Sequence, residues 1–311
     1  MKLVDSSFTP IPERAIERIG LASERLRRTL PAGLEAEYLG RYIGALPRWD
    51  EISSADDVHR KLKSLDQEIS TRFGAGVLPQ FSRLLVASLA LTLSGRLAER
   101  RISQSILEIY PLASERLATE LTEAATPDYF GANEFFLKDL RFAAGLSVSA
   151  GPMIVELRSI ITVGSLVKCI VRFKTVGNAA RMLAGQQWKP WFRRHIDPRY
   201  KEEMNATGFD RAYRRVADML EMHPDVRGIV ATCWLNDPAL GTVSPRLAYM
   251  ANPLKHGAFV LRHGPGEVPT TRATQTSPTR RKLVEEGKYT PVCYSLVWPR
   301  EKLIPWARQG Q

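Results

Sequence analysis

The sequence predicts an α+β protein, with a helical domain over residues 1–127 and, over 128–311, a mixed, mainly antiparallel sheet flanked by helices. Two observations predict it. Up to about residue 125, apolar residues recur at three- and four-residue spacing, the mark of amphipathic helices. Beyond residue 208, one helix is followed by short runs of β-branched and aromatic residues joined by short turns, which pairs the strands mostly antiparallel.

In the first half, helices are expected over 12–30, 32–46, 55–73, 79–100 and 103–122, with breaks at Pro31, Pro47, Gly74 to Gly76 and Pro127. Within 79–100 the apolar positions Phe81, Leu84, Leu85, Leu89, Leu91 and Leu93 cover most of the circumference, so this helix belongs at the centre of the bundle. No catalytic spacing occurs here. His59 lies among charged neighbours on a polar face, and Asp56 and Asp57 read as first-turn charges after Ser53 or Ser54.

The pattern changes from Asn133 onward. Residues 133–146 are helical by period, while 153–161 and 166–173 fit a strand or a buried helix equally. The stretch Trp188 to Tyr200, WKPWFRRHIDPRY, interleaves aromatic and basic side chains, and its prolines argue for a loop. A helix over 208–222 has Asp210 as its N-cap and Phe209, Tyr213, Val216, Ala217 and Leu220 as its apolar stripe. Strands are expected at 229–235, 246–250, 258–262 and 292–298, and a last helix at 300–308 with Leu303, Ile304 and Trp306 turned inward.

Residues 277–300 carry the most complete local signals. Ser277 reads as an N-cap, Pro278 as the first helical residue and Gly287 as the stop, with a strand directly after. The charge order opposes the helix dipole, because Arg280 and Arg281 stand in the first turn and Glu285 and Glu286 in the last. An anion held by Ser277, Thr279, Arg280 and Arg281 would resolve that conflict; two solvated arginines would equally account for the sequence.

A net charge of +11 points to acidic partners: nucleic acid, a membrane surface or a phosphate-bearing small molecule. Between Lys168 and Arg215 twelve basic residues face four acids, which concentrates much of that charge. Cys169, Cys233 and Cys293 are widely spaced and form no CxxC pair, which suits a reduced, cytoplasmic protein. The first twenty residues have no apolar signal core, and the most apolar run, 84–93, is too short for a membrane span.

The order helix, strand, strand, strand, helix, strand over 208–300 resembles the later part of the GNAT-type acyltransferase fold, and 243–250, VSPRLAYM, is similar to the arginine-bearing strand of acyl-homoserine-lactone synthases. Residues 236–307 also look like a bacterial family to which no activity attaches. The GNAT resemblance implies transfer of an acyl group from a thioester carrier, acyl-CoA or acyl carrier protein, to an amine. The carrier would dock on Ser277, Thr279, Arg280 and Arg281 and on Trp188, Arg193 and Arg194, with Asp237 and Tyr249 as the catalytic candidates near strand ends. The chain departs from that pattern in lacking the Q/R-x-x-G-x-G/A pyrophosphate loop; His263-Gly264-Pro265-Gly266 has two glycines without an evident helix start after it.

Two other readings stand beside it. The basic, aromatic stretch suits RNA or another polyanion, since bases stack on aromatic faces flanked by arginine. His195-x-Asp197, with His256 or His263 as a third ligand and Arg272 for a cosubstrate carboxylate, has the donor types of a mononuclear iron oxygenase. No G-x-S-x-G elbow, Walker loop or zinc spacing occurs.

Overall fold

A computed structural model describes residues 11–48, 51, 55–98, 100–123, 127–159 and 189–309. Trp188, Cys169, the segment 166–173, Ser53 and Ser54, and the side chains of Asp56, Asp57 and His59 lie outside the described residues. The chain divides into two compact units, Met1–Ala150 with Ile154–Arg158, and Gly151–Met153 with Ser159–Gln311. Its class is α+β, and the strands pair in both senses.

The first unit contains helices α1 (Glu13–Thr29), α2 (Leu34–Ala45), α3 (Ala55–Phe73), α4 (Leu78–Leu91), α5 (Leu93–Ala98), α6 (Gln104–Leu107), α7 (Tyr110–Thr122) and α8 (Glu134–Ala143). As its all-round apolar pattern requires, α4 is buried along most of its length, from Phe81 to Ala90. Two expected helices are broken. The run 79–100 divides at Thr92, whose Oγ1 bonds back to Leu89 O at 3.1 Å and draws the backbone out of helical geometry. The run 103–122 divides before Pro111, which lacks an N–H and so begins a new helix. Asn133 caps α8, its Oδ1 accepting from the Phe135 and Phe136 amides. Strands β1 (Ser147–Ser149) and β2 (Met153–Ser159) pair antiparallel with Val148 opposite Val155, so of the expected 153–161 the described residues 153–159 form a strand, and 160 and 161 lie outside the described residues.

In the second unit Trp191–Ile196, within the stretch expected as a loop, forms a strand, β3. The alternation that marks a strand is present but disguised: Phe192 and Arg194 are the buried positions, and a buried arginine reads as a polar one. The helix Ala206–Met222 then connects β3 to β4 (Gly228–Cys233), and the two strands run parallel. Asn205, not Asp210, is its N-cap, with Oδ1 accepting from Gly208 N at 2.9 Å. Gly208 is needed there because a Cβ would stand 2.1 Å from the Glu203 carbonyl oxygen.

The segment expected as a strand at 246–250 is the 3-10 turn Pro245–Ala251. Pro245 opens it, and Leu247 N bonds Ser244 O at 2.8 Å, so the arginine-bearing strand suggested by VSPRLAYM does not form. β5 (Phe259–Pro265) and β6 (Val292–Pro299) follow, separated by two helices, Glu267–Thr274 and Pro278–Glu285. The first of these starts directly after Gly266, where no helix start is evident in the sequence. β6 lies between β4 and β5, antiparallel to both.

The closing helix, Arg300–Arg308, turns Leu303 and Ala307 fully inward, while Ile304 and Trp306 are half-buried. Trp298 is the core of this side, 5.0 Å from Tyr213 and 4.9 Å from Trp306 between ring centres. The Arg300 guanidinium donates to the carbonyls of Leu220, His223 and Val226 and so closes the C-terminus of the Ala206–Met222 helix.

Candidate functional site

The parallel pair is in register only at Phe192 with Ile229 and Arg193 with Val230, yet β3 runs on to Ile196 and β4 to Cys233. Past that register the side chain of Arg194 reaches from β3 to the end of β4. It donates to Tyr213 Oη at 2.5 Å and Asn236 Oδ1 at 2.8 Å, with Cys233 Sγ 3.9 Å away. Asn236 in turn donates to the carbonyls of Ala231 and Tyr294 and ties the turn Trp234–Asn236 to β4 and β6. Arg194 is 3% exposed, and among the described residues it has no carboxylate partner and its Nε has no acceptor. Burial raises the Tyr213 hydroxyl above the ordinary tyrosine value, with Arg194 pulling the other way, so the phenol stays neutral.

The opposite face of the same sheet carries a chain of hydrogen bonds. Thr232 and Ser295 are directly paired across β4 and β6, and their hydroxyls are 2.6 Å apart. Ser295 Oγ is also 2.6 Å from Nε2 of His263. Successive strand residues face opposite ways, so this row lies on the face away from Cys233 and Tyr294. His263 sits at a register shift in β5 between Arg262 and Gly264, two residues after Leu261, the partner of Ser295, and so on the Ser295 face. Burial holds its imidazole below the ordinary histidine value, so the ring is a neutral base at pH 7. Thr232 is exposed and Ser295 buried. Sequence inspection misses this group because His263 and Ser295 stand 32 positions apart. The available signal is the lone serine inside the apolar run of β6.

The residues singled out from sequence are distributed as follows. Ser277 is buried and caps its helix, its Oγ accepting from Arg280 N at 3.3 Å. Arg280 is turned inward: Nε donates to Ala273 O at 2.5 Å, Nη1 to Ser244 Oγ at 3.1 Å, and the guanidinium lies 4.9 Å from the Trp234 ring centre. Thr279 and Arg281 are exposed, and Arg281 makes a 3.4 Å bond to Thr274 O. Asp237 is buried, Oδ1 accepting from Ala239 N and Oδ2 from Tyr289 Oη and Val292 N. Tyr249 donates to Met204 O at 3.1 Å and packs on Phe209; burial raises its hydroxyl above the ordinary value. Arg193 and His195 lie half-buried on β3.

Asp197 is fully buried, and Arg199 grips both of its oxygens at 2.9 Å. The donor set for an iron site is thus drawn apart: Asp197 serves Arg199, His263 serves Ser295, and His256 stacks near Trp306. Among the described residues no group of three His, Cys, Asp or Glu is placed to hold a metal. No single helix among them is long and apolar enough to cross a membrane.

Comparison of the chain with models of protein families, with curated proteins and with solved structures finds no match.

Proposed function

We propose that the second unit transfers an acyl group from a thioester carrier, acyl-CoA or acyl carrier protein, to an amine, on a GNAT-like sheet. The observation that carries this reading is the parallel pair β3 and β4, joined by the helix Ala206–Met222 and in register over two residue pairs alone. Ligands of open sheets gather at the carboxyl ends of parallel strands, where the strand order changes. An extended, amide-bearing carrier arm fits such an opening because it can bond strand backbone as an added strand does. The donor's reacting carbon then lies near the ends of β3 and β4, within reach of Thr232 on one face and the Arg194 network on the other. Phosphates of the carrier are left to Thr279 and Arg281, since Arg280 is committed to Ala273, Ser244 and Trp234.

The polyanion reading is weaker for a physical reason. Several arginines of the basic stretch are committed within the unit: Arg194 to Tyr213 and Asn236, Arg199 to Asp197, Arg214 to Ala307 O, and Arg215 near Glu203. Melting of the full chain with acetyl-CoA or with mixed RNA decides between them. Acetyl-CoA at about a hundred times its Kd should stabilise by about 2.7 kcal/mol. A shift with RNA alone, falling steeply with salt, overturns the transferase reading.

A further inference from the structure

We propose that Thr232, Ser295 and His263 form a proton relay that makes the Thr232 hydroxyl an acyl acceptor, so that the group passes through an ester on Thr232. This rests on the acyl-transfer reading above. The relay is continuous, with 2.6 Å between Thr232 and Ser295 and 2.6 Å between Ser295 and His263. Its two ends differ in the way a nucleophile and its base must: Thr232 is exposed to an incoming donor, and the imidazole is half-buried and uncharged. A cross-strand Thr and Ser pair is by itself an ordinary sheet contact. The third member is not. His263 comes from the neighbouring strand β5, where it stands two residues from Leu261, the partner of Ser295, and so on the same face of the sheet, with Nε2 2.6 Å from the serine oxygen.

The step balances with groups on the page. Thr232 Oγ1 attacks the carbonyl carbon of the donor while its proton moves to Ser295 Oγ and the Ser295 proton moves to His263 Nε2. The C–S bond breaks, and the imidazolium returns its proton through Ser295 Oγ to the leaving thiolate. An amine then attacks the ester carbon; the C–O bond breaks, and the amine proton returns to Thr232 Oγ1. Thioester, ester and amide are successively more stable toward nucleophiles, so each transfer runs downhill.

Full-length protein mixed with p-nitrophenyl acetate, without an amine, tests this. The expected result is a burst of nitrophenolate equal to the protein concentration, with the acetyl group mapped by mass spectrometry to Thr232. Thr232→Ser should retain the burst and Thr232→Val abolish it; both sit at an exposed site and leave the melting temperature in place. His263→Gln should slow the burst by about 10²-fold, the lower end of what a positioned base supplies. A burst that persists in Thr232→Val, or acetyl found on another residue, overturns the relay. Turnover of acyl-CoA with an amine but no burst overturns the relay and leaves the transferase reading standing as direct transfer. A burst on Thr232 with no binding of acyl-CoA supports the relay and overturns the thioester donor.

Discussion

Replacing Arg280 by alanine separates a packing role from a ligand role. The side chain donates to Ala273 O and Ser244 Oγ and lies over Trp234. Losing the two charge-assisted bonds costs about 1.5–3 kcal/mol each, and the ring contact adds about 1 kcal/mol. Part of this is returned, because burial and the nearby Arg246 already hold this guanidinium below the ordinary arginine value, so its removal relieves a desolvated charge. The net loss is about 3 kcal/mol, which for a unit of this size lowers the melting temperature by about 6–12 °C. Calorimetry of the full chain measures it, with Arg281→Ala as the partner variant. Arg281 is exposed, so its replacement should leave melting within about 1 °C and weaken acetyl-CoA binding instead. If Arg280→Ala melts like the parent and loses acetyl-CoA binding, the inward-facing role assigned to this residue is wrong.

Asp197→Asn leaves Arg199 without its buried carboxylate and should destabilise by about 3–5 kcal/mol, read by urea unfolding, with no change in bound metal. Tyr249→Phe removes only the bond to Met204 O and should cost about 1 kcal/mol without altering acyl transfer; a loss of turnover at unchanged stability would return this hydroxyl to the catalytic group. Because the folded-state pKa of His263 lies below its unfolded value, the unfolded chain binds the extra proton first. Its share of stability is therefore full above the unfolded value and is lost as pH falls toward and through the folded one. Melting temperature followed across that acid range should fall less in His263→Gln than in the parent.

The sequence by itself determined some of the local elements. Ser277 with Pro278 at a helix start, Gly287 at its end and the strand after it all act within a few residues, where side chains meet only their own backbone. It also determined that α4 is central, since a helix apolar on every side has to be buried. What it left undecided depends on long-range pairing. β3 needs the parallel neighbour β4, more than thirty residues on, to make Arg194 a buried position, and of the reversed charges of 277–286, Arg280 is held by Ala273, Ser244 and Trp234. His263, Ser295 and Thr232 become one chain only when β6 lies between β4 and β5. No spacing along the chain encodes that meeting, because hydrogen-bond geometry between strands is a property of the assembled sheet.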